Sequence, residues 1–131
     1  MASPRILIVE DEVLIAEDLR INLERLGYQV VGMASSGPEA VRKADQAQPD
    51  LILMDVRLQG AMNGAEAARR IRSKADIAIL YVSAHASVLA SLETGNRCAC
   101  LAKPFSPLQL KTAIQAVLPR ANPSAPERTG D

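Results

Sequence analysis

Short apolar runs alternate with amphipathic stretches five times along these 131 residues. The strand-like runs are Ile6 to Glu10, Gln29 to Ala34, Leu51 to Asp55, Ala78 to Ser83 and Ala99 to Ala102. Between and after them the apolar period changes to three and four. Ile15, Leu19, Leu23 and Leu26 form one face opposite Glu17, Arg20 and Glu24, and Gly27 stops that helix. Ser36 caps a second helix, opened by Gly37-Pro38 and reaching about Gln46, with Ala40, Val41 and Ala44 on one face. Asn63-Gly64 leads into a third, where Ala67, Ala68 and Ile71 face inward and Glu66, Arg69, Arg70 and Arg72 face water. The fourth, from Ser87 to Glu93 with Gly95 ending it, is short and weakly apolar, and is the helix expected to move. Ser106-Pro107 opens a fifth, striped by Leu110, Ile114 and Val117 and limited by Pro119.

Strands that are apolar on both faces and alternate with helices predict a parallel sheet covered on each side. Right-handed crossovers then bring every strand's C-terminus to one edge, where open α/β sheets bind their ligands. Three of the runs end there in charge: Glu10-Asp11, Asp55 and Lys103-Pro104. Gathered together, the carboxylates make a candidate site for a divalent cation, and the ammonium a contact for a phosphoryl group.

Composition narrows the field. With 48% apolar residues the chain supplies one compact core without staples. Lys+Arg and Asp+Glu both number 15, so no basic field exists to hold DNA, RNA or an anionic membrane. No apolar stretch approaches the roughly 20 residues of a membrane span, and no secretory h-region follows Met1, so a soluble, cytoplasmic protein is expected. Cys98 and Cys100, in a strand, sit on one face about 6.6 Å apart, a poor disulfide geometry. Two free thiols are expected, and with His85 the only histidine they read as small buried residues rather than metal ligands. Residues 1–118 read as the domain and 119–131 as a flexible tail or linker.

Ile-Leu-Ile-Val-Glu10-Asp11-Glu12, Leu-Ile-Leu-Met-Asp55, Tyr-Val-Ser83-Ala84 and Leu-Ala-Lys103-Pro104-Phe105 resemble the receiver domains of two-component response regulators. The resemblance covers residues 5 to 118, and four motifs in this order are far more specific than any one of them. It implies a flavodoxin-like, doubly wound (βα)5 fold with a five-stranded parallel sheet in the order 2-1-3-4-5. It also implies a switch phosphorylated on Asp55 by the phosphohistidine of a sensor histidine kinase or histidine phosphotransfer protein. By the same resemblance Mg2+ is held directly by Asp11 and Asp55, by Glu10 mainly through water, and by the backbone carbonyl of Arg57. Lys103 and Ser83, with Ala84 beside it, match phosphoryl-binding and switch positions, and Pro104 is a cis-peptide candidate.

Each of these residues also has a plainer reading. A strand-end Asp is commonly a turn former, Glu-Asp before a helix a cap, and Lys-Pro a loop start; only their coincidence with Ser83 sets these aside. Arg57 and His85 stand two residues beyond Asp55 and Ser83, positions that tune phosphoryl lifetime in the family; a solvated arginine and a surface histidine are the alternatives. Cys100 replaces the family's usual Tyr or Phe three residues before the lysine, so the signal is expected to pass through His85 to Leu92 instead. The loop 56–64 carries Gln59 where many relatives have Pro, and is one residue longer than the commonest length.

Two rivals remain at this level. A phosphate-independent pseudo-receiver scaffold has only Cys100 in its favour. A haloacid-dehalogenase-like, Mg2+-dependent phosphatase needs a second Asp two residues after the first, where Arg57 stands. No helix-turn-helix and no further catalytic motif follows residue 118, so output is expected as a protein contact through helix four, strand five and helix five. Neither nucleic acid nor membrane is an expected direct partner. Turnover is expected to be limited to self-phosphorylation and self-dephosphorylation. Met1 close to the first strand favours a stand-alone regulator, residues 119–131 leave a piece of a longer protein open, and so is homodimerisation.

Overall fold

The computed structural model describes residues 3–92 and 97–118. Five strands, β1 (Arg5–Val9), β2 (Gln29–Ala34), β3 (Leu51–Asp55), β4 (Ala78–Ser83) and β5 (Cys98–Ala102), form one parallel sheet in the order β2-β1-β3-β4-β5. The helices are α1 (Val13–Arg25), α2 (Gly37–Ala47), α3 (Gly64–Arg72), α4 (Ala86–Ala90) and α5 (Pro107–Val117). This is the doubly wound, flavodoxin-like order expected from the resemblance.

The central strands are buried on both faces because alternate side chains feed two separate cores. Leu7, Val9, Ile52, Met54, Ile79 and Tyr81 pack towards α2 and α3, with Val88 and Leu89 of α4 at the margin. Ile6, Ile8, Leu51, Leu53, Leu80 and Val82 pack on the other face against Leu19, Leu23, Leu110 and Ile114 of α1 and α5. Each fully buried Leu or Ile contributes roughly 1.5–3 kcal/mol.

Local chemistry sets the helix starts. The Ser36 hydroxyl accepts from the Glu39 amide and the Asn63 carbonyl oxygen from the Glu66 amide, while Ser106 and Gln109 form a reciprocal capping box. Gly27, at φ +97°, turns the chain out of α1.

Some boundaries and faces differ from the sequence pattern. Ile15 is 36% exposed, and Ala16, Leu19 and Leu23 form the buried face of α1 instead. The helix begins at Val13, and its phase puts the small Ala16 under the sheet. Arg72 is half-buried, its guanidinium 3.8 Å from Asp76, rather than fully in water. β1 ends at Val9 and β5 begins at Cys98. α4 occupies Ala86–Ala90 with no buried residue and is capped at Ser91, so it is shorter than the expected helix from Ser87 to Glu93; Glu93, Gly95 and the tail 119–131 lie outside the described residues. Neither Cys98 nor Cys100 is in a disulfide, as expected. Among the described residues no helix is long and apolar enough to cross a membrane.

Candidate functional site

Three strand ends deliver the charged groups to one edge. The Glu10 amide donates to the Ala34 carbonyl at 2.9 Å, which carries the β1–β2 ladder one step beyond Val9 and sets Glu10 and Asp11 at the strand mouth. Asp55 is the last residue of β3, paired with Val82. The Lys103 amide donates to the Ser83 carbonyl at 2.9 Å, bringing the lysine off β5 to the same edge, and the Lys103–Pro104 peptide is cis.

Carboxylate oxygens of Glu10, Asp11 and Asp55 lie within 4.8 Å of one another. The Lys103 ammonium is 3.1 Å from Glu10 Oε1 and 3.6 Å from Asp55 Oδ2. Each carboxylate also accepts one backbone amide: Glu10 Oε2 from Glu12 at 3.2 Å, Asp11 Oδ2 from Gln59 at 3.3 Å, and Asp55 Oδ1 from Arg57 at 3.0 Å.

Among the described residues, one ammonium against three carboxylates leaves the cluster short of positive charge. Burial pushes the Glu10 carboxyl up from 4.5 to about 7 and the charge of Asp55 adds to it, against the Glu12 amide and Lys103. Burial also disfavours the Lys103 ammonium, but Asp55 and Glu10 outweigh it and raise its pKa. Hard oxygen donors, crowded and partly dehydrated, suit a small divalent cation such as Mg2+.

Ser83 is buried at the end of β4, and its hydroxyl oxygen accepts from the His85 amide at 3.1 Å. Ala84 and His85 are exposed. Arg57 is exposed and lines an open cleft of about 530 Å³ with Asp11, Leu58, Gln59 and Val88. Among the described residues neither the Arg57 guanidinium nor the His85 ring forms an ion pair.

Cys100 Sγ contacts the Leu89 carbonyl at 3.8 Å, and burial raises its thiol pKa, so it packs rather than reacts. Directly across the strand pair from Cys100 lies Tyr81, buried, its phenol pushed up to about 12 mainly by burial. The aromatic of this layer is therefore on β4. That placement was legible from alternation, since Ile79, Tyr81 and Ser83 share a face.

Four further features carry no charge and escaped the sequence reading. The Gln59 amide reaches Asp11. Met62 presses on Gly37, where a Cβ would stand 2.7 Å from Met62 Cγ. A Cβ on Gly64 would collide with the Asp55 carbonyl and come within 2.9 Å of Val56 Cα. Val13, Leu14 and Leu108 are 77%, 85% and 71% exposed on the first turns of α1 and α5, close in sequence to Asp11 and Lys103. The run Glu12-Val13-Leu14 was the available signal.

A family model described as the response regulator receiver domain matches residues 6–115. The transcriptional regulatory protein PdtaR of Mycobacterium tuberculosis is 39% identical over 118 residues, covering 88% of this chain and 57% of the relative. The response regulator PhyR from Brucella abortus shares the fold with a TM-score of 0.79 and 31% identity, over 88% of this chain and 48% of that one. The receiver domain of the sensor histidine kinase PA1611 from Pseudomonas aeruginosa, solved with a magnesium ion in its active-site cleft, gives a TM-score of 0.75 at 31% identity, over 88% and 98% of the two chains. The chain spans about half the length of the curated relatives it matches.

Proposed function

This chain belongs to the response regulator receiver domain family, and from that premise we propose that it is the phosphoacceptor switch of a two-component phosphorelay. The observation that carries the reading is Asp55, a carboxylate only 6% exposed that shares its pocket with two other carboxylates and lies 3.6 Å from Lys103. A strand-end Asp that merely formed a turn would face water.

In the proposed reaction an Asp55 carboxylate oxygen forms a P–O bond as the P–N bond of a phosphohistidine breaks. The electron pair stays with the imidazole nitrogen, which takes up a proton. Asp11 and Asp55 are the proposed direct ligands of Mg2+, with Glu10 acting through water and the Arg57 carbonyl adding an oxygen. The cation, when bound, supplies neutralising charge for the phosphoryl oxygens. Lys103 is the proposed partner of one phosphoryl oxygen.

The Ser83 hydroxyl oxygen accepts from the His85 amide, which leaves its own hydrogen to donate to the new phosphate. Drawing Ser83 inwards then pulls on Ala84, His85 and the start of α4, a helix with no fully buried residue and only Val88 and Leu89 packed at the margin of the core. The proposed output is a change of protein contacts at α4, β5 and α5. The exposed Val13, Leu14 and Leu108 favour a protein phosphodonor, a sensor histidine kinase or histidine phosphotransfer protein, that docks apolar surface beside the acids. The proposed receiver unit runs to Leu118, and its own turnover is confined to gaining and losing the phosphoryl group.

Incubation with Mg2+ and a small phosphodonor or beryllofluoride, followed by intact-mass analysis, tests the reading. The expected result is one adduct, absent in Asp55→Asn. Absence of any adduct supports a phosphate-independent scaffold, and sustained hydrolysis of a phosphate ester supports a phosphatase.

A further inference from the structure

We propose that the backbone amide of Gln59 is a positioning group for Asp11, and that the loop 56–63 is the strap that holds it there. The inference rests on the reading of Glu10, Asp11 and Asp55 as a Mg2+ site.

The three amides that reach the cluster are not equivalent. Those on Glu10 and Asp55 come from two residues further on, so the chain's own turn fixes them. The one on Asp11 comes from 48 residues away, across the mouth of the sheet. It takes Oδ2, and among the described residues Oδ1 has no hydrogen-bond partner. Both oxygens of Glu10 are occupied, by Glu12 and Lys103. Asp11 thus has the most open oxygen of the cluster and the least local support. A carboxylate that binds a cation through one oxygen is oriented by the hydrogen bond at the other.

The strap has its own anchors. Gly60, at φ +98°, turns the chain immediately after Gln59. Met62 then lies against Gly37 at the start of α2, and the Gly64 amide closes the loop on the Val56 carbonyl at 2.9 Å. Between these anchors the loop borders open space, a cleft of about 330 Å³ shared with Ser36, Glu66 and Arg70. The contact of Met62 is what keeps the Gln59 amide in reach of Asp11.

Every residue but proline supplies the amide, so paired substitutions isolate it. Mg2+ is titrated calorimetrically into the intact chain and into Gln59→Ala, Gln59→Pro and Met62→Ala. Gln59→Ala is expected to bind as the parent does, whereas Gln59→Pro is expected to bind about tenfold more weakly, the lower end of what loss of a supporting hydrogen bond costs a metal site. Met62→Ala, which keeps the amide but frees the strap, is expected to lie between them. In the unmodified chain, hydrogen exchange at the Gln59 amide is expected to slow when Mg2+ is added, a readout that does not depend on the folding of any variant. Equal affinities for Gln59→Pro and Gln59→Ala, or faster exchange at Gln59 with Mg2+, overturn the strap and leave the metal site standing. No Mg2+ binding to the unmodified chain overturns the metal-site reading and the strap with it.

Discussion

The Lys103 ammonium lies 3.1 Å from Oε1 of Glu10, a carboxylate whose side chain is 1% exposed. Lys103→Met removes the only ammonium within ion-pair distance of that acid among the described residues and leaves it facing Asp55. Without metal at about pH 8, the variant is expected to lose about 2 kcal/mol, below the ~3–5 kcal/mol of a fully buried broken pair because the lysine is partly exposed. Near pH 5 the loss shrinks as Glu10 takes up a proton. Urea unfolding at the two pH values checks this, and equal losses at both would contradict it.

Glu10 itself gives a pH signature. Its carboxyl is raised from 4.5 to about 7 in the fold, so between those values the native state holds a proton that the unfolded chain has released. The stability from this source is complete below about pH 4.5 and lost as pH rises through about 7. Metal-free protein is therefore expected to melt higher at pH 6 than at pH 8, with the difference much reduced in Glu10→Gln. Mg2+ binding favours the ionised acid, so its affinity is expected to fall as pH drops below 7.

Gly64→Ala puts a methyl group against the Asp55 carbonyl and within 2.9 Å of Val56 Cα. Backbone cannot swing aside as a flexible side chain does, so a loss of roughly 2 kcal/mol is expected. Thermal unfolding measures it, and the Asp55 and Val56 amide resonances should move with it.

α4 has no buried residue, while β3 is buried along its whole length. Amide exchange at Val88 and Leu89 is expected to be orders of magnitude faster than at Leu53. Beryllofluoride with Mg2+ should shift the resonances from His85 to Leu92. Unchanged resonances there would remove α4 from the signalling path.

Leu14→Arg introduces charge into the exposed apolar first turn of α1, three residues after Asp11. Phosphotransfer from a histidine phosphotransfer protein is expected to slow about tenfold, the effect of losing one strong contact residue. Labelling by a small phosphodonor should be unaffected, and rapid-quench assays with both donors separate the two.

How much of this was legible depends on what leaves a mark in side-chain chemistry. β2, β3 and β4 have the bounds that their apolar runs predict. The ends of β1 and β5 moved by a residue because Arg5 joins the ladder through its backbone and Cys98 is a small buried thiol. In α1 the three-and-four spacing admits two phases, and the small Ala16 rather than Ile15 faces the sheet. Glu10, Asp11, Asp55 and Lys103 stood out because charge closing an apolar run is conspicuous, and the fold brings all four together. The Gln59 amide was invisible because every non-proline residue has one. Gly64 read as a helix start, and only the distance to the Asp55 carbonyl reveals that a side chain is forbidden there.

Glu10 and Lys103 are 93 positions apart, so their meeting requires the intervening chain to have laid its strands side by side. In the unfolded chain these groups are far apart. A ligand selective for the gathered edge draws on the folded population alone, and at a hundred times its dissociation constant it adds about 2.7 kcal/mol to stability. Occupancy of this edge by a cation is thus inseparable from folding: it should also show as slower proteolysis.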